Sequence, residues 1–527
     1  MRGTWDVGRG TWDVGCAKRP REPLSFPRPF TSHVPRPTPN YLSPMPDPLL
    51  DLLEHDATLQ AATAFVGLAA AYLAGTREGE GAVSTGLTSD EIAERFDEPV
   101  PLDGMSLEAV VTRLRDEVLP DCNRLYHPRY AGHQVSAPLP AAIWTESLTA
   151  ALNQSLAVAE MSPVATVLEH RVIRWMCELA GFGADAGGTL TSGGTEATFT
   201  ALLAARAAAL PDAWRDGVGA DPPVVVCGEH AHYAVTRAVG ELGLGMKSAI
   251  VVPSRDWRMD TEALAVTLDQ LAAEQRRVMA VVATAGSTAT GSFDELEAIG
   301  PLCHERGLWL HVDGAHGASA LLSERHRHWL RGIGFARSIA WDPHKLMLLP
   351  LSCGALLVRD ERDLDAAFAQ RAPYLFAGDE QSRQWDQGAR SFQCSRRADV
   401  LKLWVAFQRY GVRALAELHD RLCAVARAMY EQLEAHPEFE PMHEPQSNIL
   451  CFRWTGDGNY GAEALDAFNR ELRESYNQSG EGWITTTILA GRRVLRATIM
   501  NPRTTERDVA EIIAGLARQA DRMRAAN

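Results

Sequence analysis

A lysine set among apolar residues is the first chemical anomaly of the chain. In SIAWDPHKLMLLP (Ser338–Pro350), Lys345 has Leu346, Met347, Leu348 and Leu349 after it and Trp341 before it. Burial lowers an ammonium pKa and makes the amine a nucleophile toward an aldehyde; the plain alternative is a lysine snorkelling from a strand end. In HVDGAHGAS (His311–Ser319), Asp313 directly follows the apolar run LWLHV. A buried carboxylate is costly unless paired, so Asp313 calls for a cation, unless it is only a cap or turn residue. TSGGTEAT (Thr191–Thr198) leads into an Ala-rich helix. There Gly193 and Gly194 let backbone amides approach an anion, the helix start adds unpaired N–H groups, and Thr195 adds a hydroxyl. The same pattern serves as an ordinary turn, and no Walker lysine follows it. In GEHAHYAV (Gly228–Val235), His232 follows the run VVVC and opens a helix, where a histidine commonly caps. His311 and His316 lack an HxxxH partner or a third ligand at suitable spacing, so no metal site is expected.

Together these residues answer the needs of one cofactor. Pyridoxal 5'-phosphate requires a phosphate site, a carboxylate for its pyridinium nitrogen and a lysine for its aldehyde. The set is more specific than any member.

The elements that must position them follow from periodicity. Between Thr189 and Asp360, β-branched runs (Val224–Cys227, Ala249–Val252, Val278–Thr284, Leu308–Val312, Ser338–Trp341, Ala355–Val358) alternate with helical stretches such as Glu196–Leu210 and Thr261–Gln275. That alternation predicts an α/β fold with a largely parallel sheet, whose ligands sit beyond the carboxyl ends of the strands. Upstream, helices are expected from Pro46 to about Leu119, with a cap at Ser89–Asp90, and then around Ala142–Val158 and Pro163–Ala180, the latter capped by Ser162. The apolar stretch Ala61–Gly75 is short of the roughly 20 residues that cross a bilayer and is read as a buried helix. Downstream of Leu401, long helices, strand-like runs at Asn448–Trp454 and Arg493–Met500, and a helix from Thr505 predict a small α+β domain. The expected organisation is a Pro-rich tail at 1–44, an N-terminal helical dimerisation segment at 45–140, a cofactor-binding large domain at 141–411 and a small domain at 412–527.

In order along the chain, HPRY, NQSLAVAEMSPVATVLE, TSGGTEATFTALLAAR, EHAHYAV, ATAGSTATGSFD, HVDGAHG, DPHK and CSRRADVLKLWVAFQRYG resemble the group II pyridoxal-phosphate-dependent amino-acid decarboxylases. That family includes glutamate, cysteine-sulfinate, 2,4-diaminobutyrate and aromatic-amino-acid decarboxylases. The resemblance implies fold type I, with a mainly parallel seven-stranded sheet flanked by helices, and conversion of an L-amino acid to its amine and carbon dioxide through a Lys345 Schiff base and a quinonoid intermediate. It further implies that Asp313 pairs with the pyridinium nitrogen, Ala315 packs against the ring and His232 stacks on its other face. Gly193, Gly194 and Thr195 would hold the phosphate with Thr288, and Asp342 and His344 would lie beside Lys345. Tyr374 in RAPYLF matches the family's loop tyrosine that protonates the substrate carbon, while Tyr130, His133 and Gln134 match a substrate-pocket segment contributed by the partner of a homodimer. Two departures alter polarity near the cofactor: Asp342 and Leu346 stand where many members have Asn and Trp in NPHKW, and HVDGAH replaces HVDAAY. The polar Tyr130, His133 and Gln134 lean toward a polar or acidic substrate.

Composition bounds the rest. The chain has 527 residues, 46% apolar, with 52 Lys+Arg against 67 Asp+Glu and a formal net charge of −15. An acid excess without basic motifs argues against nucleic acid as a partner, and no membrane partner is expected. Nine cysteines without a CxxC pair suit a reducing cytoplasm better than a disulfide framework or a zinc site. The first 44 residues hold 8 of the 29 prolines and seven basic against three acidic residues, and open with RGTWDVG in tandem. Such a segment builds no core, and an over-long start with Met45 as initiator is the expectation. Two other classes compete: another fold-type-I enzyme, an aminotransferase or carbon–sulfur lyase, and a catalytically silent cofactor-binding homologue.

Overall fold

The computed structural model describes residues 48–368, 385–456, 458 and 460–526. The tail at 1–44 and Tyr374 lie outside them. The chain divides into two units, Met1–Thr58 and Leu59–Asn527. The described part of the first is mainly the helix Pro48–Asp56, which buries none of its residues.

In the second unit the strands are, in order, β1 (Tyr130–Ala131), β2 (Gly187–Thr191), β3 (Val224–Gly228), β4 (Ala249–Val252), the two-residue pair β5 (Ser254–Arg255) and β6 (Arg258–Met259), β7 (Val278–Thr284), β8 (Trp309–Asp313), β9 (Ser338–Trp341), β10 (Gly354–Val358), β11 (Phe439–Pro441), β12 (Ile449–Trp454), β13 (Trp483–Leu489) and β14 (Arg492–Thr498). A seven-stranded sheet has the order β2-β10-β9-β8-β7-β3-β4. Its neighbours are parallel except at β10, which runs antiparallel to both β2 and β9. The α/β architecture with a mainly parallel seven-stranded sheet is therefore the one expected.

The runs of valine form this sheet because both faces are covered. Val224, Val226, Val281 and Ala283 pack into one cluster with Leu264, Leu268, Leu296 and Ile299 of the helices Thr261–Ala273 and Leu296–Glu305. Their neighbours Val225, Cys227, Ala280 and Val282 pack on the opposite face against Leu202, Leu203, Val235 and Val239 of the helices Gly194–Ala209 and Ala234–Glu241. Each fully buried Val or Leu side chain contributes about 1.5–3 kcal/mol, so a one-residue slip would exchange two finished interfaces for mismatched ones.

A second sheet, β1-β13-β14-β12-β11, carries the C-terminal part, with the helices Ala462–Gln478 and Glu506–Ala526. Its β1 comes from the HPRY segment: Tyr130 pairs in register with Trp483. The helix Val400–Glu434 is broken at Gly411, whose φ of 68° is left-handed.

Four local expectations need correction. The apolar helix runs Leu59–Arg77 and buries only Ala61 and Thr76, so it is an exposed helix; by length and composition it is long and apolar enough to cross a membrane. The helix expected over Ala142–Val158 is Pro140–Leu152, ended by Asn153 at φ 45°. The cap near Ser89 is Thr88, which forms a reciprocal capping box with Glu91. Ser162 holds the N-cap position, but its side chain makes no cap bond.

One buried ion pair fixes the approach to the glycine loop. Arg396 Nη1 and Nη2 donate to Glu169 Oε2 and Oε1 at 2.9 and 2.7 Å, with side chains 4% and 0% exposed. Glu169 Oε1 also accepts the N–H of Leu190 in β2, at 3.2 Å. Arg396→Leu leaves that carboxylate buried and unpaired and should cost about 3–5 kcal/mol, read as a lower urea midpoint. Adding Glu169→Gln removes the stranded charge and should recover part of the loss; an unchanged midpoint in the single variant would refute this account.

Candidate active site

Because β10 is antiparallel to both its neighbours, β2 points the same way as β9, β8, β7 and β3, and their carboxyl ends share one edge. At that edge lies a cavity of about 340 Å³ lined by Gly193, Gly194, Thr195, His232, Thr288, Asp313, Ala315, Asp342, His344 and Lys345. These are all ten positions assigned to the cofactor from the sequence. Ser192, Thr284, Gly286, His316 and Leu351 complete the lining. Thr284 ends β7, whereas Ser192, Gly286, His316 and Leu351 lie in turns and loops, and their place in the fold brings them in.

Each side chain is placed by a strand end. Asp313 is the last residue of β8, the middle strand, and is 7% exposed. Its Oδ1 accepts the N–H of Ala315 at 3.2 Å, and it makes no ion pair among the described residues. Lys345 lies four residues past β9; its Nζ sits 3.2 Å from Asp342 Oδ2. The same Oδ2 accepts the N–H of Gly194 at 3.0 Å and lies 3.5 Å from His344 Nε2. His344 is held in turn, its Nδ1 accepting the N–H of Cys353 at 3.0 Å. His232 follows β3, and its Nδ1 accepts the N–H of Ala234 at 3.2 Å, which fixes the ring.

Space in the cradle is tight. A Cβ at Gly194 would stand 2.6 Å from Ala315 Cβ, and one at Gly354 would stand 2.6 Å from the Cα of Gly193. Any larger residue at either place would close the loop against the cavity floor. Thr284 Oγ1 and Asp342 Oδ1 are buried without a hydrogen-bond partner, a costly state that a polar ligand relieves.

Burial sets the protonation states. It pushes His232 below the ordinary histidine range, with the Asp313 charge acting against it. His316 is pushed down to about 3 by burial and by Lys345, and its Nε2 bonds Asn448 Oδ1 at 2.7 Å. His311, bonded through Nδ1 to Ser338 Oγ at 2.9 Å, is pushed down to about 4 by burial. All three imidazoles are neutral at neutral pH.

The substrate trio falls elsewhere. Tyr130 stacks on Trp483 at 5.3 Å between centroids, His133 tilts against the same indole, and Gln134 Nε2 is buried without a partner; none of them lines the cavity of Lys345. Tyr374 lies outside the described residues. Arg396, without a role in the sequence reading, is the partner of Glu169. A residue the sequence reading missed is Arg496 on β14. It is 6% exposed and makes no ion pair among the described residues, its Nε is unpartnered, and its charge acts on both His133 and His316. No spacing pattern marks it, since one arginine in a strand reads as an ordinary surface residue.

Residues 90–455 match the family model described as the pyridoxal-dependent decarboxylase conserved domain. The chain is 33% identical over 425 residues to an L-2,4-diaminobutyrate decarboxylase of Rhizobium meliloti (strain 1021), covering 80% of this chain and 84% of that protein. It is 32% identical over 415 residues to the cysteine sulfinic acid decarboxylase of Rattus norvegicus, covering 78% and 82%. The crystal structure of mouse CSAD superposes with a TM-score of 0.83 at 29% identity, covering 90% of this chain and 99% of that one. The matched span takes in every residue lining the cavity, and the chain thus belongs to the pyridoxal-dependent decarboxylase family as a pyridoxal-phosphate-dependent carboxy-lyase of an amino acid.

Proposed function

We propose that this cavity decarboxylates an acidic or polar L-amino acid, with Lys345, Asp313, His232 and Tyr374 as its catalytic groups. The observation that carries the reading is Asp313: a carboxylate buried at a strand end without a cation, in the same cavity as a lysine amine and a glycine cradle. The orphaned Thr284 Oγ1 and Asp342 Oδ1 and the absence of room for a Cβ at Gly194 fit pyridoxal phosphate as the missing ligand. When bound, the cofactor supplies an aldehyde for amines and a protonated ring that accepts the electron pair left by carbon dioxide.

The chain's own residues do the remainder. Gly193, Gly194 and Thr195 present N–H and hydroxyl donors at the start of a helix, where an anion is favoured, and Thr288 adds another hydroxyl. Lys345 Nζ, held by Asp342, is the amine that would bind the cofactor's aldehyde. Asp313 keeps the proton on the ring nitrogen, because loss of that proton would strand its buried charge. His232, pushed toward neutrality by burial, would face the cofactor without repelling a cationic ring, and the small Ala315 would leave it room. Tyr374 Oη would deliver a proton to the substrate Cα.

The cations about His133 argue for the substrate's sign. Arg496 and Arg473 both act on it, and Arg496 carries an unspent buried charge. A substrate carboxylate or sulfinate would neutralise it, whereas a second amine would not. Tyr130, His133 and Gln134 would face that substrate from a second copy.

A homodimer in the cytoplasm is part of the same reading. The exposed helix Leu59–Arg77 opens onto an apolar groove of about 390 Å³ lined by Phe65, Leu68, Tyr72, Leu73, Leu119 and Tyr126, among others. Apolar surface of this kind marks an interface, and the N-terminal helix of a second copy is the proposed cover.

Lys345→Ala should abolish both the visible absorbance of the bound cofactor and carbon dioxide release; turnover retained in that variant would refute the assignment. Tyr374→Phe should lower amine formation about 10²-fold or more while leaving the absorbance intact, and an unchanged amine yield would remove Tyr374 from the mechanism. Assays against aspartate, glutamate, cysteine sulfinate, diaminobutyrate, tyrosine and tryptophan should favour the acidic members, with preference for diaminobutyrate overturning the charge argument. Phe65→Asp should shift sedimentation from dimer to monomer; a wild-type chain that sediments as a monomer ends the dimer proposal.

A further inference from the structure

Apart from the Lys345 cavity, metal-ligating side chains meet where the helix Val400–Glu434 passes the loop before the turn Arg327–Leu330. His419, Asp420 and Cys423 come from the helix, with His419 and Cys423 one turn apart on one face. His326 comes from the loop. One ligand atom from each of His326, His419 and Cys423 lies within 4.8 Å of the others. His326 Nδ1 is 2.9 Å from Asp420 Oδ1, His419 Nδ1 is 3.6 Å from the same oxygen, and Cys423 Sγ is 3.9 Å from His419 Nδ1.

We propose that His326, His419, Asp420 and Cys423 form a structural site for a borderline-soft divalent cation, zinc foremost. Tetrahedral zinc, with bonds of about 2.0–2.3 Å, sets its ligand atoms roughly 3.3–3.8 Å apart. The separations of 2.9, 3.6 and 3.9 Å lie near that range, and the ligand atoms of His326, His419 and Cys423, within 4.8 Å of one another, would have to draw together by up to roughly 1 Å to close the shell. His419 supplies a second, independent sign. It is 1% exposed, its Nε2 has no partner among the described residues, and its Nδ1 has only the two long contacts. Burying an imidazole so poorly bonded is unfavourable, and a cation on Nδ1, the nitrogen that faces Asp420 and Cys423, would replace its two long contacts with one short bond.

Charge and softness select the ion. One carboxylate and one thiolate offset a divalent charge, leaving the buried site neutral; the protons on the thiol and on the ligating imidazole nitrogens are released to solvent on binding. Thiolate and imidazole donors disfavour magnesium and calcium. Ser323 Oγ also donates to Asp420 Oδ1, orienting the carboxylate from outside the shell. An opening of about 340 Å³, lined by Arg325, His326, Asp420, Cys423 and Ser447 among others, gives the ion a path in. The site would tie the segment following β8 to the long helix. With His326 and His419 so far apart in sequence, no metal-binding spacing is visible there.

The test uses the full-length holoenzyme, stripped with chelator and then titrated with zinc ion alone. One zinc should remain per chain after gel filtration, and the thermal midpoint should rise. Cobalt ion in its place should give tetrahedral d–d bands to the red of the cofactor absorbance. His326→Ala and Cys423→Ser should each weaken zinc binding about 10–100-fold or more and abolish the cobalt bands. His326 is half-buried at the surface, so this variant decides the matter if the cysteine variant fails to fold. No stoichiometric zinc in the wild-type chain, or equal affinity in wild type and His326→Ala, overturns the proposal and leaves a hydrogen-bonded cluster only; neither result bears on Lys345 or the decarboxylase reading.

Discussion

The structure is organised around a carboxylate that the protein buries and does not neutralise. Asp313 ends the middle strand of a sheet covered on both faces, so water cannot solvate it freely, and it makes no ion pair among the described residues although Lys345 shares its cavity. A charge in that position is costly without a partner. On the proposed function, that partner is the ring nitrogen of the bound cofactor. The neighbouring histidines are consistent with this: His232, His311 and His316 are all driven toward neutrality, so none takes the cation's place.

Asp342 is the second organising group. Its Oδ2 meets the amine of Lys345, the N–H of Gly194 and His344, and thereby ties the loop after β9 to the loop after β2. Asp342 thus holds Lys345 by a carboxylate oxygen that also lies beside the glycine loop. Gly354 and Gly194 make the approach possible, since a Cβ at either would collide with the opposing loop. The buried Glu169–Arg396 pair braces β2 from behind.

Most of the large sheet is legible in the sequence because its central strands are buried on both faces and read as unbroken β-branched runs, such as Val224–Cys227 or Val278–Thr284. Helix limits are less legible: Ala142–Val158 loses its last turn because Asn153 adopts a left-handed conformation, which local propensity permits without requiring. The helix Leu59–Arg77 looks like core by composition and is exposed, since apolar content reports the need for cover and not its source. β1 and β13 escape detection because the first is two residues long and the second is a threonine-rich run that gains its place by pairing with β14.

Lys345, Asp313, His232 and the glycine pair stand out in the sequence itself, because each is a local anomaly: a charge in an apolar run, a histidine just after a strand, or glycines before a helix. Ten such positions then share one cavity because parallel strands deliver their following loops to a single edge. The tertiary structure alone decided which distant residues met: Arg396 with Glu169, Tyr130 with Trp483, and His326 with His419 and Cys423. Those contacts join segments far apart in the chain, and their energies depend on burial and distance, quantities that exist only once the chain has folded.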